Sequence, residues 1–194
     1  MSRASRLSVL PSLLLLAALL LPVAHAAEGA AQRIDLAGTT YVHQWSKNGQ
    51  NEYLPAGQTL ETWEDMVTLV VNENARDGET LAGLANAVLA NYQQSGVIVR
   101  TNSLPMTAER PAEHLIVAML QGNGVAEAVF ARLVLHDGAG FVVVRSKRAR
   151  GEGDAAVDTL ARWLSSDGEA TETALMAWNG LPSLAAVQAL PQTP

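Results

Sequence analysis

Three β-like runs, Glu113 to Gln121, Ala126 to His136 and Gly140 to Lys147, are separated only by Gly122-Asn123-Gly124 and Asp137-Gly138-Ala139-Gly140. Connections this short cannot carry a crossover helix, and glycine and asparagine supply the positive φ that tight hairpins need. The three strands are therefore an antiparallel meander, which excludes an all-helical fold and a purely parallel sheet. Along the last run both alternating sets, Phe141 with Val143 and Val142 with Val144, are apolar. Helices are expected to cover both faces of that strand.

The helices are legible from the apolar period. From Thr80 to Ser95, Leu81, Leu84, Ala85, Val88, Leu89 and Tyr92 form one stripe, and Gly96 follows where a left-handed C-cap would sit. Asp154 is placed to cap a second helix with Val157, Leu160, Ala161 and Leu164 inward, broken at Ser165-Ser166-Asp167-Gly168. A short helix over Thr171 to Trp178 follows. Upstream, Lys47-Asn48-Gly49-Gln50 joins two short strands as a hairpin. Thr59 can cap a short helix carrying Leu60, Trp63, Met66 and Val67 on one face, before a strand over Val67 to Val71. A further strand is expected over Val97 to Thr101, and Pro105 and Pro111 bracket a loop. The fold class is α+β, a single domain in which an antiparallel sheet is covered by two or more helices. Residues 27–37 read as a flexible leader, 38–180 as the domain and 181–194 as a Pro/Ala-rich tail.

The N-terminus is an address rather than part of the fold. Arg3 and Arg6 precede the apolar run Leu13 to Leu21, Pro22 ends it, and Ala24-His25-Ala26 gives the small-x-small pattern of a cleavage site. The run is well short of the roughly 20 residues a spanning helix needs. Residues 1–26 are thus expected to be a signal peptide, and the mature chain to be periplasmic or secreted, with no stable membrane insertion. Removal of residues 1–26 takes two arginines, and the net charge of −6 becomes −8. An acidic chain with pI near 5.2 lacks the basic surface that displaces phosphate counterions, so nucleic acid is not an expected partner. There is no cysteine, hence no disulfide, thiolate metal site or haem attachment.

Asn51-Glu52-Tyr53-Leu54-Pro55-Ala56-Gly57-Gln58 is followed by Trp63-Glu64-Asp65-Met66-Val67-Thr68, with the Asp137-Gly138 hairpin and a helix ending in Trp163-Leu164 further on. This pattern resembles small exported proteobacterial proteins of unknown function. The element order is also similar to PsbP-like α/β/α sandwiches. The resemblance implies an antiparallel sheet between helices and carries over no catalytic residue, because a fold does not confer a function.

Chemistry leaves few marks on the sequence. No G-x-S-x-G elbow or S-x-x-K motif occurs, and Ser46, Ser95, Ser103 and Ser146 read as surface hydroxyls. After signal removal the histidines are His43, His114 and His136. His114 and His136 would lie near one open end of a hairpin, the alternative reading as a metal site, although no ligand spacing supports it. Glu64, Asp65, Glu109 and Glu113 are possible acids, but the aromatic-lined cleft of a glycosidase is not indicated. No cofactor motif is present. One local feature stands out: Arg145, Lys147, Arg148 and Arg150 put four basic residues within six positions of an acidic chain. At a strand end they would contact an anionic partner or shield an exposed sheet edge. The sequence therefore points to a non-catalytic binding or interaction module of the bacterial cell envelope. Its partner would be an envelope protein, a glycan or a small ligand. The alternative is an envelope hydrolase using a histidine–carboxylate pair.

Overall fold

The computed structural model describes residues 32–122, 124–152 and 154–193; the segment read as a signal peptide lies outside them. Eight strands form one sheet: β1 (Arg33–Leu36), β2 (Thr39–Lys47), β3 (Gln50–Pro55), β4 (Asp65–Asn72), β5 (Gly96–Leu104), β6 (Glu113–Gly122), β7 (Val125–His136) and β8 (Ala139–Arg150). Among the described residues three helices accompany them: α1 (Gly78–Ser95), α2 (Ala155–Ala177) and α3 (Leu184–Gln188). The spatial order is β1-β2-β3-β4-β8-β7-β6-β5, and every neighbouring pair is antiparallel. Two four-stranded meanders are therefore joined along β4 and β8. α1 carries the chain from β4 to the far edge, where β5 starts the second meander.

Local chemistry explains the turns. Ala37-Gly38, Asn48-Gly49 and Asp137-Gly138 each place two successive residues at positive φ, between 50° and 80°. That is the two-residue hairpin whose twist matches the strands it joins. The first of these makes β1, so residues 33–36 belong to the sheet and not to a flexible leader. Ala37 is an uncommon residue at such a φ, which is why the hairpin left little trace in the sequence.

The expected two-sided covering is present. On one face Leu81 and Ala85 of α1, flanked by Leu84, Val88, Leu89 and Tyr92, pack on Ile116, Ala131, Leu133 and Val142. On the other, Leu175 of α2 joins Leu69, Leu115, Val117, Phe130, Phe141 and Val143. Fully burying each such side chain contributes about 1.5–3 kcal/mol. The tail also belongs to this core: Ala186, Val187 and Leu190 are buried in it, and the Thr193 amide donates to Ser46 O at 2.7 Å. The domain thus does not stop at residue 180.

Three local expectations are corrected. Residues 59–63 form a single turn, with the Trp63 amide donating to Thr59 O, and β4 begins at Asp65. Met66 and Val67 are both buried, and pairing with β8 from Asp65 onward overrides the helical spacing. Gly96 is extended, not left-handed, with φ 177°. Its requirement for glycine is close approach: an added Cβ would lie 2.1 Å from Met119 O on β6. α2 runs unbroken through Ser165-Ser166-Asp167-Gly168 for 23 residues. Both serine hydroxyls donate back to helix carbonyls, and Gly168 sits against Leu164 and Phe130. Packing on the sheet outweighs the propensity cost of these residues.

Candidate functional site

The basic cluster lies inside the sheet. β8 is a central strand between β4 and β7, paired through Lys147 on one side and Arg150 on the other. It therefore has no free edge to shield. Alternation sends Arg145 and Lys147 to the α2 face and Arg148 and Arg150 to the α1 face. Each side chain has a partner within the fold. Arg145 bonds Asp65 at 3.2 Å, and Tyr41 donates to the same carboxylate at 2.9 Å. Burial, then the Asp65 charge, hold the Tyr41 hydroxyl well above its ordinary range. Lys147 lies 3.9 Å from Glu64. Arg148 bonds Glu127 through both Nε (3.0 Å) and Nη2 (2.5 Å), with its guanidinium 3.5 Å over the Trp63 ring. Arg150 donates to the carbonyls of Glu61, Thr62 and Trp63. Together these contacts bind the β3–β4 connection to β8. The charge that looked available to an anion is engaged in holding that loop.

The histidines of the metal alternative are not brought together. His114 is opposite Leu133, on the α1 face, with Nδ1 3.0 Å from Ser103 Oγ. His136 projects to the other face, edge-on to Phe141 at 5.2 Å. Among the described residues no group of three metal-ligating side chains forms. Glu113, a possible acid in the sequence, is buried in an ion pair with Arg132 at 2.7 Å. Arg132 also donates to Leu175 O and Trp178 O, closing the C-terminal end of α2.

One serine–histidine contact was not legible in the sequence. A bulge at Gln44, between His43 and Trp45, breaks the alternation of β2 and brings His43 and Ser46 together. His43 Nε2 is 2.6 Å from Ser46 Oγ, which donates to Asn51 Oδ1 at 2.7 Å. The Asn51 amide is committed to Leu69 O and Gly49 O, so the direction of the chain is set. With its proton given to Asn51, Ser46 accepts from the imidazole. A nucleophile–base pair needs the opposite polarity. Ser46 is also fully buried, contrary to the surface hydroxyl expected of it. Burial holds His43 below the usual imidazole range, against a hydrogen bond to the Trp45 backbone that raises it.

The accessible feature is the outer edge of β5. Val97 and Val99 are 68% and 53% exposed there. Val99 occupies a bulge between Ile98 and Arg100, and Arg100 pairs with Glu172 of α2. Between β5 and α2 is a notch of about 240 Å³ whose floor and walls include Val99, Val117, Phe130, Leu164 and Gly168, with Glu169 on its rim.

The structure defines an α+β protein with an antiparallel sheet between helices. Among the described residues no helix is long and apolar enough to cross a membrane. Comparison with protein-family models and with curated proteins finds no match. Among solved structures, the chain is similar to a protein of unknown function, PA94 from Pseudomonas aeruginosa, described as a putative regulator. Identity is 13% over 78% of this chain and 97% of that one, with TM-score 0.44. It is also similar to the Saccharomyces cerevisiae Ran-binding protein Mog1p, at 10% identity over 72% and 82%, with TM-score 0.38.

Proposed function

We propose that this chain is an exported, non-catalytic interaction module of the bacterial cell envelope whose working surface is the outer edge of β5. The exported proteobacterial class suggested by the sequence is part of this reading, and its support is the A-x-A signal pattern. The observation that carries the binding function is a nine-residue edge strand presenting Val97 and Val99 to solvent. Sheet edges are commonly kept from other chains by lysine, proline or brevity. β1, at the opposite edge, has four residues, whereas β5 runs nine with neither lysine nor proline; its one charge, Arg100, is held by Glu172, and its bulge at Val99 leaves Arg100–Leu104 in regular pairing with β6. The test combines location with contact. Protein recovered from the envelope of the native host should have the mass of a chain starting at Ala27. Val99→Lys should lose cross-linked partners with an unchanged melting temperature. A chain retained whole in the cytoplasm, or partners unaffected by the lysine, would refute the reading.

A further inference from the structure

We infer that β5 accepts an extended peptide as a ninth strand, with one apolar side chain seated in the notch beside α2 and a basic side chain against Glu169. This rests on the interaction-module reading and names the chemistry of its partner. Main-chain pairing to an exposed sheet edge provides affinity without sequence selectivity, and pockets for alternate side chains provide the selectivity. β5 offers both. Among the described residues no strand pairs with its outer side, and the notch lies beside that edge, where a side chain of an added strand on the α2 face would fall.

Gly168 bears on what the notch is for. An added Cβ there would lie 3.6 Å from Leu164 and 3.9 Å from Phe130, which is ordinary van der Waals contact. Alanine would therefore fit, and in a helix interior it is favoured over glycine by about 1 kcal/mol. Glycine weakens the helix here and leaves depth between Leu164 and Phe130 for a guest side chain.

Charge decides the occupant. Arg100 and Glu172 neutralise each other in their ion pair, which leaves the Glu169 carboxylate as the uncompensated charge of the rim, on an acidic chain. A basic peptide is complementary to that rim. A second copy of this chain is not: a two-fold axis through the middle of β5 would set Arg100 opposite its own equivalent and bring two acidic chains together. Like charges directly opposed across strands are destabilising.

The experiment uses the mature chain and two synthetic probes, acetyl-KVTVTVK-amide and acetyl-EVTVTVE-amide, followed by amide NMR. The lysine peptide should bind at least tenfold more tightly than the glutamate peptide and move the amides of Val97 to Thr101 and of Leu164 to Glu169. Gly168→Ala should melt no lower than the parent yet bind the lysine peptide several-fold more weakly. Equal affinity for the two peptides, no binding of either, or shifts confined to another face would overturn the inference. Concentration-dependent self-association abolished by Val99→Lys would overturn it in favour of a second copy. The parent reading fails separately, if Val99→Lys leaves the envelope cross-links intact.

Discussion

Arg132 is the side chain whose loss should cost this fold most per atom removed. It is 6% exposed, bonded to the equally buried Glu113, and donates to two carbonyls at the end of α2. Arg132→Met keeps much of the volume while leaving the Glu113 carboxylate buried without its counter-charge. Breaking a buried pair by removing one partner costs about 3–5 kcal/mol. The two orphaned carbonyls add to this only partly, because the end of α2 can loosen to reach water. In a domain of this size each kcal/mol moves the midpoint by about 2–4 °C, so the variant should melt roughly 10 °C below the parent. The double variant Glu113→Gln/Arg132→Met removes the stranded charge and should recover at least about 2 kcal/mol of the loss, since an apolar replacement of a whole buried pair is often close to neutral. Chemical denaturation of the parent, both singles and the double closes the cycle. A loss below about 1 kcal/mol for Arg132→Met, or no recovery in the double, would refute the claim that this pair is a closed, desolvated clamp on α2.

Gly96→Ala should destabilise by about 1–3 kcal/mol, since the new methyl meets backbone of β6 that can yield only by moving the strand; thermal melting checks it. Arg148→Gln removes a two-point contact to Glu127 and the stack on Trp63, at a cost of about 1–2 kcal/mol. Limited proteolysis should then cut first within residues 56–64, and Arg148→Lys should not restore protection because it cannot make the forked contact. His43 has a folded-state pKa below the unfolded value of about 6.5, so the unfolded chain binds more protons in the window between them. The stability that depends on this histidine is therefore complete above that window and is lost as pH falls through it. His43→Gln should flatten that part of the stability–pH curve.

The parts of the fold written in local chemistry were legible. Turn residues between β6, β7 and β8 gave the meander. The stripe from Leu81 to Tyr92 gave the helix on one face. Phe141 to Val144 gave the covering of both faces. What escaped depends on contacts distant in sequence. Nothing near Arg145 to Arg150 says that β4, some 80 residues upstream, pairs with that strand, so a central strand read as a strand end. Trp63 and Met66 satisfy a helical spacing as well as they satisfy a turn entering a strand, and only pairing with β8 decides. Gly96 stands where a C-cap belongs, but the approach of β6 is what requires it. The Ser46–His43 contact depends on one extra residue in β2, which no periodicity reveals. The exposed edge was invisible for the same reason as the central strand: which strand lies outermost is set by where α1 delivers the chain.

The central claim is that β5, and not β1, is the edge that works. A photoreactive residue placed at Val97, and separately at Asp35 on β1, tests it in intact cells of the native host. The account predicts a discrete cross-linked product from position 97 that the Val99→Lys change abolishes, and none from position 35. Equal cross-linking from both edges, or a product from position 35 alone, would contradict it.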